Sequence, residues 1–509
     1  MTKLAGIFSD GMILQRGRPC AIWGQDDGAD EIVVILEGKE YSSIVEEGKF
    51  LVTLPPHEEA VGVTIEIIGS TKIVLSDVCF GDVFYLAGQS NFELPVSRTL
   101  DVSREEVEAS NYPYIRQYRV TPQYLMAEDR IADLPELPWT SAVPGEIGQM
   151  SAAGFYCAKR IYDRIRVPIG LVLGAQGGST IESWMPASLL SQFGDHSSKM
   201  EPFMEGFALR EYLAERDKQN GIWRASLKGD NEEELIRSIP EGATDFEVPG
   251  MIRENTGKEH VGIVWFYKEV ELTEEPGEEA FLYLGDLIDA DETFVNGVSV
   301  GRIEYRYPPR KYPFDGRILR KGKNLITVRL LIETGNGGFV AAHPYYLRTD
   351  KEQVELEGTW KVFFGEETKT LLTPGVMGQQ VPTSLYKASV LPLKDYSFRG
   401  LWWYQGESNT DDPSRYNEKF KCMIDNWREL YGQKLPLICI EMCDYQDPLL
   451  GGTPEGWATI QKMQRDAAEE VSRCEVVSAK DLTSPWELHP QRKSELGERM
   501  AQTAMHLYY

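Results

Sequence analysis

"VFYLAGQSNFELP", residues 83–95, decides the fold. Its first five residues, Val83 to Ala87, make the continuous apolar run that a strand buried on both faces carries. The run ends abruptly in Gly88-Gln89-Ser90-Asn91. A hydroxyl beside a glycine and two amides packs poorly, but it is well placed for chemistry if the strand belongs to an open α/β sheet. In such sheets the loops beyond the carboxyl ends of the strands converge.

The sequence around it predicts that sheet. In "AAGFYCAKRIYDRI", Phe155, Ala158, Ile161 and Ile165 recur at helical spacing, and "VPIGLVLGAQGGS" returns as a strand ending in glycines. Strand, helix, strand argues an α/β fold with a parallel sheet. The alternation breaks near residue 205 and resumes at "FRGLWWYQGES", "KLPLICIEM" and "CEVVSAK". After the first of these, Tyr416, Phe420, Ile424, Trp427 and Tyr431 line one helical face.

Short strands fill the interval, among them "VGIVWFYKEVEL", "ETFVNGVSVGRI" and "NLITVRLL". There Asn296-Gly297 supplies the two positive φ angles of a type I′ hairpin. Ahead of residue 79, short β runs between turns predict a small antiparallel β-sandwich. The expected organisation is a β-sandwich over 1–78, an α/β domain over 79–204 and 381–509, and an all-β insertion with its connections over 205–380. A chain of 509 residues is too long for one core and accommodates about three domains.

Composition narrows the functional classes. A formal net charge of −26 argues against nucleic acid, whose binders concentrate Lys and Arg. No apolar run is long enough to span a bilayer. The start, "MTKLAGIFSDGMILQ", lacks the apolar core of a signal peptide, so a cytoplasmic protein, or one whose leader has been removed, is expected. Seven cysteines without a CxxC pair argue against a disulfide framework, and Cys439 and Cys443 in "LPLICIEMC" read as small buried hydrophobes. With neither HExxH nor clustered Cys/His spacing, no metal and no other cofactor is expected.

Four segments fall where the ends of α/β strands should converge: "GQSN" at 88–91, "GGST" at 177–180, "QGESN" at 405–409 and "WELHP" at 486–490. A serine needs a base within hydrogen-bond reach and donors aimed at the oxyanion formed on attack. Of six histidines, His57, His260 and His343 fall in β regions and His506 lies near the end of the chain. His196 sits in a polar loop before the insertion, whereas His489 follows the last predicted strand and precedes a helix carrying Leu496, Met500 and Ala504. Ser90 is thus the candidate nucleophile and His489 the candidate base. The Ser90 and Gly178 N–H groups and the Gln405 carboxamide are candidate oxyanion donors.

These blocks, with "GGSTIESW", "WWYQGESN" and "LHPQRKSELGERMA", resemble the sialate O-acetylesterase-like branch of the SGNH hydrolases. "FSDGMILQRGRPCAIWG" is similar to the amino-terminal β-sandwich opening of such enzymes, and the insertion resembles a galactose-binding-like jelly roll. The resemblance implies a flavodoxin-like three-layer SGNH sandwich that removes O-acetyl groups from sugars without a metal. It implies Ser90 as nucleophile, His489 as general base, and Gly178 and Gln405 as oxyanion donors, with Asn409 as a rival to Gln405.

One departure stands out. Related sequences read "DIHP", and the wider class places an Asp three residues before the histidine, where this chain has Trp486. Glu487 occupies the place of the "DIHP" aspartate and could orient the imidazole; Asp481 is a second candidate and a backbone carbonyl a third. The implied partner is an O-acetylated sugar, of the sialate or xylan type, with oligomeric state left open. Two competing classes are weaker. A noncatalytic carbohydrate-binding protein has no chemical reason to keep Ser90, Gly178, Gln405 and His489 together. A glycosidase needs a pair of carboxylates, and Glu407 is one glutamate in a glycine loop.

Overall fold

One strand, Lys72–Gly88, carries the chain from its amino-terminal β structure into a parallel sheet without a turn. The computed structural model describes every residue except 128–130, 230, 307, 342, 369–374, 433, 446–452 and 484–486. Contacts divide the chain into two units, Met1–Leu213 with Val376–Tyr509, and Ala214–Gly375.

In the first unit the sheet runs in the order Thr140–Ala142, Tyr112–Arg119, Ile169–Leu173, Lys72–Gly88, Gly400–Tyr404, Leu437–Glu441, Cys474–Ser478. All neighbours are parallel except the first pair. The alternation of side chains explains why each central strand is apolar throughout. Phe84, Leu86, Trp402, Tyr404, Ile438 and Ile440 face a core shared with helices Ala152–Ile165 and Lys493–Tyr508, through Phe155, Ile161, Leu496 and Met500. Tyr85, Ala87, Leu401, Trp403, Leu437 and Cys439 face the other way, onto helices Tyr416–Leu430 and Pro454–Glu470. Helices on both faces of a mostly parallel sheet make this an α/β fold.

That second core is continuous with the amino-terminal residues Met12, Ile22, Ile32, Val52 and Ile65. The expected boundary at residue 78 therefore falls inside the Lys72–Gly88 strand. The strand's first half pairs with Ala60–Ile68, and the following residues pair with Ile13–Gln15. Its second half lies between Ile169–Leu173 and Gly400–Tyr404. "DVCFGDVF" contains one glycine, Gly81, where a Cβ would meet the Pro168 carbonyl oxygen at 2.1 Å. This glycine serves a close approach between backbones rather than a turn.

The second unit is built on antiparallel sheets of six and four strands and a short three-stranded one. Phe246, Val264, Phe266, Leu282, Val328, Leu347 and Trp360 fill its core. Val295 pairs with Val298 across Asn296 and Gly297, whose φ angles of 49° and 82° give the predicted tight hairpin. Among the described residues no helix is long and apolar enough to cross a membrane.

Candidate active site

Register places the site. Leu173 pairs with Leu86, Trp403 with Ala87 and Tyr404 with Gly88, so three parallel strands end at one edge and release the 88–91, 174–180 and 405–409 loops side by side. Gly88 has φ +127, and a Cβ there would stand 2.1 Å from the Tyr404 carbonyl oxygen. The position before Gln89-Ser90 thus requires glycine twice over, for conformation and for space. Gln89 then caps a single helical turn, Ser90–Glu93, which holds Ser90 at the edge of the sheet.

His489 arrives from the segment after the Cys474–Ser478 strand, and its Nε2 lies 2.8 Å from Ser90 Oγ. Burial, reinforced by the positive charges of Lys493 and Arg98, pushes the imidazole pKa down to about 3. The ring is therefore neutral at ordinary pH and able to accept the serine proton. His196 stands just ahead of the short helical turn Ser197–Met200, where the charges of Glu182 and Lys419 reach it.

The loops are locked to one another. Gly177 N–H donates to Glu93 Oε2 at 2.7 Å, and Glu93 also pairs with Arg119. A Cβ on Gly177 would approach Ser90 Cβ to 3.4 Å, so this loop lies against the serine. Gly178 adopts φ +73, and its carbonyl accepts from Gln380 Nε2 at 3.2 Å. Among the described residues no hydrogen bond uses the Gly178 N–H or the Ser90 N–H.

Gln405 and Asn409 part company here. Gln405 is fully buried; its amide nitrogen donates to the Ser179 carbonyl at 3.0 Å and to Asn409 Oδ1 at 2.7 Å, and its Oε1 accepts from Tyr416 at 2.8 Å. Both amide hydrogens of Gln405, a candidate oxyanion donor from sequence, are thus engaged by acceptors within the loops. Asn409 Oδ1 accepts from Gln405 and from Ile181 N–H, while Nδ2 donates to Glu182 Oε2 at 3.0 Å. Among the described residues one Asn409 N–H is left over. Glu182 in turn pairs with Lys419 at 2.7 Å; burial pushes its carboxyl up, but Lys419 and Asn409 outweigh this and hold it below the usual carboxylate range.

The candidate acids are differently placed. Asp481 is exposed and bound by both guanidinium nitrogens of Arg499, at 2.6 and 2.8 Å, which holds its carboxyl down at about 2. Its carboxylate is engaged by Arg499. Glu487 is half-buried; its carbonyl accepts from Thr483 at 2.8 Å, and its charge acts on Lys493 and Cys443. Trp486 lies outside the described residues.

A buried polar group that sequence reasoning missed sits behind the pair. Asn91 Nδ2 donates to Glu407 Oε1 at 2.8 Å and to the Leu488 carbonyl at 3.0 Å, while Asn91 Oδ1 accepts from Lys493 Nζ at 2.7 Å. All three side chains are buried. The available signal was that each stands inside a singled-out motif: "GQSN", "QGESN" and "LHPQRK". Among the described residues no cluster of three or more His, Cys, Asp or Glu is placed to hold a metal ion.

Comparison with known proteins gives the chain's relatives. Residues 378–506 match a family model described as carbohydrate esterase, sialic acid-specific acetylesterase, a span that holds Gln405, Glu407, Asn409, Glu487, His489 and Lys493. Sialate O-acetylesterases of Mus musculus and Homo sapiens are both 29% identical, over 219 and 246 residues. The matches cover 39% and 44% of this chain and 40% and 45% of those proteins, so the chain spans less than half the length of the curated relatives it matches. The crystal structure of a carbohydrate acetylesterase from Xanthomonas citri superposes with a TM-score of 0.59 at 20% identity, covering 100% of this chain and 76% of that one, and shows the same fold. By these comparisons the chain is similar to the sialate O-acetylesterases and bears the sialic acid-specific acetylesterase signature over residues 378–506.

Proposed function

We propose that this chain is a serine esterase that removes O-acetyl groups from a carbohydrate through an acyl-enzyme on Ser90. The observation that carries the reading is the 2.8 Å contact between Ser90 Oγ and a His489 ring kept neutral by its surroundings. In this account Ser90 Oγ attacks the acetyl carbonyl as His489 Nε2 takes its proton. The oxyanion is met by the N–H groups of Ser90 and Gly178 and by the uncommitted N–H of Asn409. The tetrahedral species collapses when His489 returns the proton to the departing sugar hydroxyl. Water then repeats the attack on the acyl-enzyme and releases acetate. Glu487 is the proposed orienter of the imidazole.

O-acetylated sialic acid is the favoured substrate, because the relatives matched are sialate O-acetylesterases. The α/β unit is read as an SGNH sandwich and the 214–375 unit as a galactose-binding-like jelly roll. Ser90→Ala tests the chemistry. Release of acetate from 4-nitrophenyl acetate and from O-acetylated sialic acid should fall by about 10⁴–10⁶, with the thermal melt unchanged. Undiminished turnover in that variant rejects the serine mechanism.

A further inference from the structure

We propose that Lys493 and Glu407, acting through Asn91, are positioning residues that clamp the histidine loop onto the serine turn. The proposal rests on the serine esterase reading. Asn91 follows Ser90, Leu488 precedes His489, Glu407 lies in the 405–409 loop, and Lys493 opens the last helix. One carboxamide joins all four. Its oxygen takes the Lys493 ammonium at 2.7 Å, and its two hydrogens reach Glu407 Oε1 at 2.8 Å and the Leu488 carbonyl at 3.0 Å. At this size only an amide presents an acceptor and two donors from one end of a side chain.

The network is costly as a way of filling space. Burying an ammonium and a carboxylate a side chain apart sacrifices hydration that an apolar trio of equal volume would not lose. Burial pushes the Lys493 ammonium down to about 8 and the Glu407 carboxyl up, and Glu407 Oε2 has no hydrogen-bond partner among the described residues. What the group secures is geometry. The residues on either side of the 2.8 Å Ser90–His489 contact, Asn91 and Leu488, are bonded to each other, so the two loops cannot separate without breaking that bond. A separation of about 1 Å at reacting atoms can cost roughly a hundredfold in rate.

Lys493 has a second effect on the same pair. Its charge is one of two, with Arg98, that disfavour protonation of His489. The groups that act on the ammonium in turn are Glu407, Glu487 and Cys443, and the Tyr404 ring lies 5.2 Å from it. Removing the ammonium alone should therefore loosen the clamp and also make His489 easier to protonate, which a residue that merely filled space would not do.

The test uses the full chain with Lys493→Met, which keeps the stem, Asn91→Ala and the double variant. Activity is read as kcat/KM for 4-nitrophenyl acetate per folded molecule from about pH 2.5 to 9, which brackets the acid limb expected near 3 in the parent, and Ser90 reactivity as the rate of labelling by a fluorophosphonate. Lys493→Met should lower both by about 10- to 100-fold and move the acid limb of kcat/KM up by about one pH unit. If the lysine acts through Asn91, adding Lys493→Met to Asn91→Ala should cost less than threefold more. A Lys493→Met enzyme within threefold of the parent with its acid limb unmoved overturns the clamp, and so does full multiplication of the two single effects. Should Asn91→Ala fail to fold, the pH profile of Lys493→Met decides alone. A parent protein that neither hydrolyses the ester nor takes the label overturns the esterase reading and the clamp together, whereas an active parent with unaffected variants overturns the clamp only.

Discussion

A serine hydroxyl becomes nucleophilic when its proton has somewhere to go, and the acid tolerance of that acceptor is a property of its burial. The His489 shift is downward, to about 3, so the accepting form persists well below the usual 6.5. On the proposed mechanism, kcat/KM per folded molecule should change less than about twofold between pH 8 and pH 5, where an unperturbed imidazole would lose roughly thirtyfold. Stability moves oppositely. Between 6.5 and about 3 the unfolded chain binds a proton that the folded imidazole refuses, so acidification through that window destabilises the fold. Rates should therefore be normalised to the folded fraction by tryptophan fluorescence; an acid limb centred near 6.5 after that correction would contradict the assigned environment. The imidazole's partner is testable at the same scale. Glu487→Gln should lower kcat by about two to four powers of ten if this carboxylate orients the ring, whereas Asp481→Asn, which disturbs only an exposed pair with Arg499, should be close to neutral. A Glu487→Gln enzyme within threefold of the parent leaves a backbone carbonyl as the better account.

Elements carry the site because strand ends are fixed by register while the loops beyond them are fixed by hydrogen bonds between loops. The short turn Glu407–Asn409 after the Gly400–Tyr404 strand shows the second kind of control. Asn409 is held through Gln405, Ile181 and the Glu182–Lys419 pair, which leaves one of its N–H groups without a partner among the described residues, the group assigned to the oxyanion in the proposed mechanism. Asn409→Ala should lower kcat by about 10²–10³ with little effect on KM, measured on 4-nitrophenyl acetate; an unaltered kcat would transfer that role elsewhere. This turn also marks where reading the sequence stops. That Val83–Ala87 and Leu401–Tyr404 are buried strands ending at one edge is visible in their unbroken apolar runs, since strands covered on both faces need no polar alternation. Which amide of "QGESN" keeps an unengaged hydrogen is not visible, because it depends on the Ser179 carbonyl and Asn409 Oδ1 accepting the two amide hydrogens of Gln405. Asn91, Glu407 and Lys493 were hidden for the same reason: their partners lie hundreds of positions away along the chain, and no local period records them. The boundary expected at residue 78 lies within a strand because β character continues on both sides of Gly81, and periodicity alone cannot tell a strand that passes between layers from two strands.

At the scale of the molecule the central fact is that one sheet is assembled from two distant stretches of chain. Lys72–Gly88 and Ile169–Leu173 precede the 214–375 unit, and Gly400–Tyr404, Leu437–Glu441 and Cys474–Ser478 follow it. Ser90 and His489 meet only if both stretches pair. The first unit's own chain ends are close together: a Cβ on Gly378 would lie 2.8 Å from Leu213 Cδ1. Chain termini so near each other are what a tolerated insertion requires. Joining Leu213 to Val376 through a short glycine-serine linker should therefore give a protein that melts cooperatively, because the strand order and both cores of the first unit remain intact. It should also retain fluorophosphonate labelling of Ser90, since Glu407, Asn409, His489 and Lys493 all lie in the retained stretches. A chain ending at residue 213 has neither the Gly400–Tyr404 strand nor the two beyond it, leaving one edge of Lys72–Gly88 and the faces of Phe84 and Tyr85 uncovered, and should be insoluble or unfolded. Circular dichroism melts of the two proteins decide the matter. A stable 1–213 fragment would contradict the interdependence of the two stretches, and an unfolded linker-joined protein would show that the first unit needs residues 214–375 to fold.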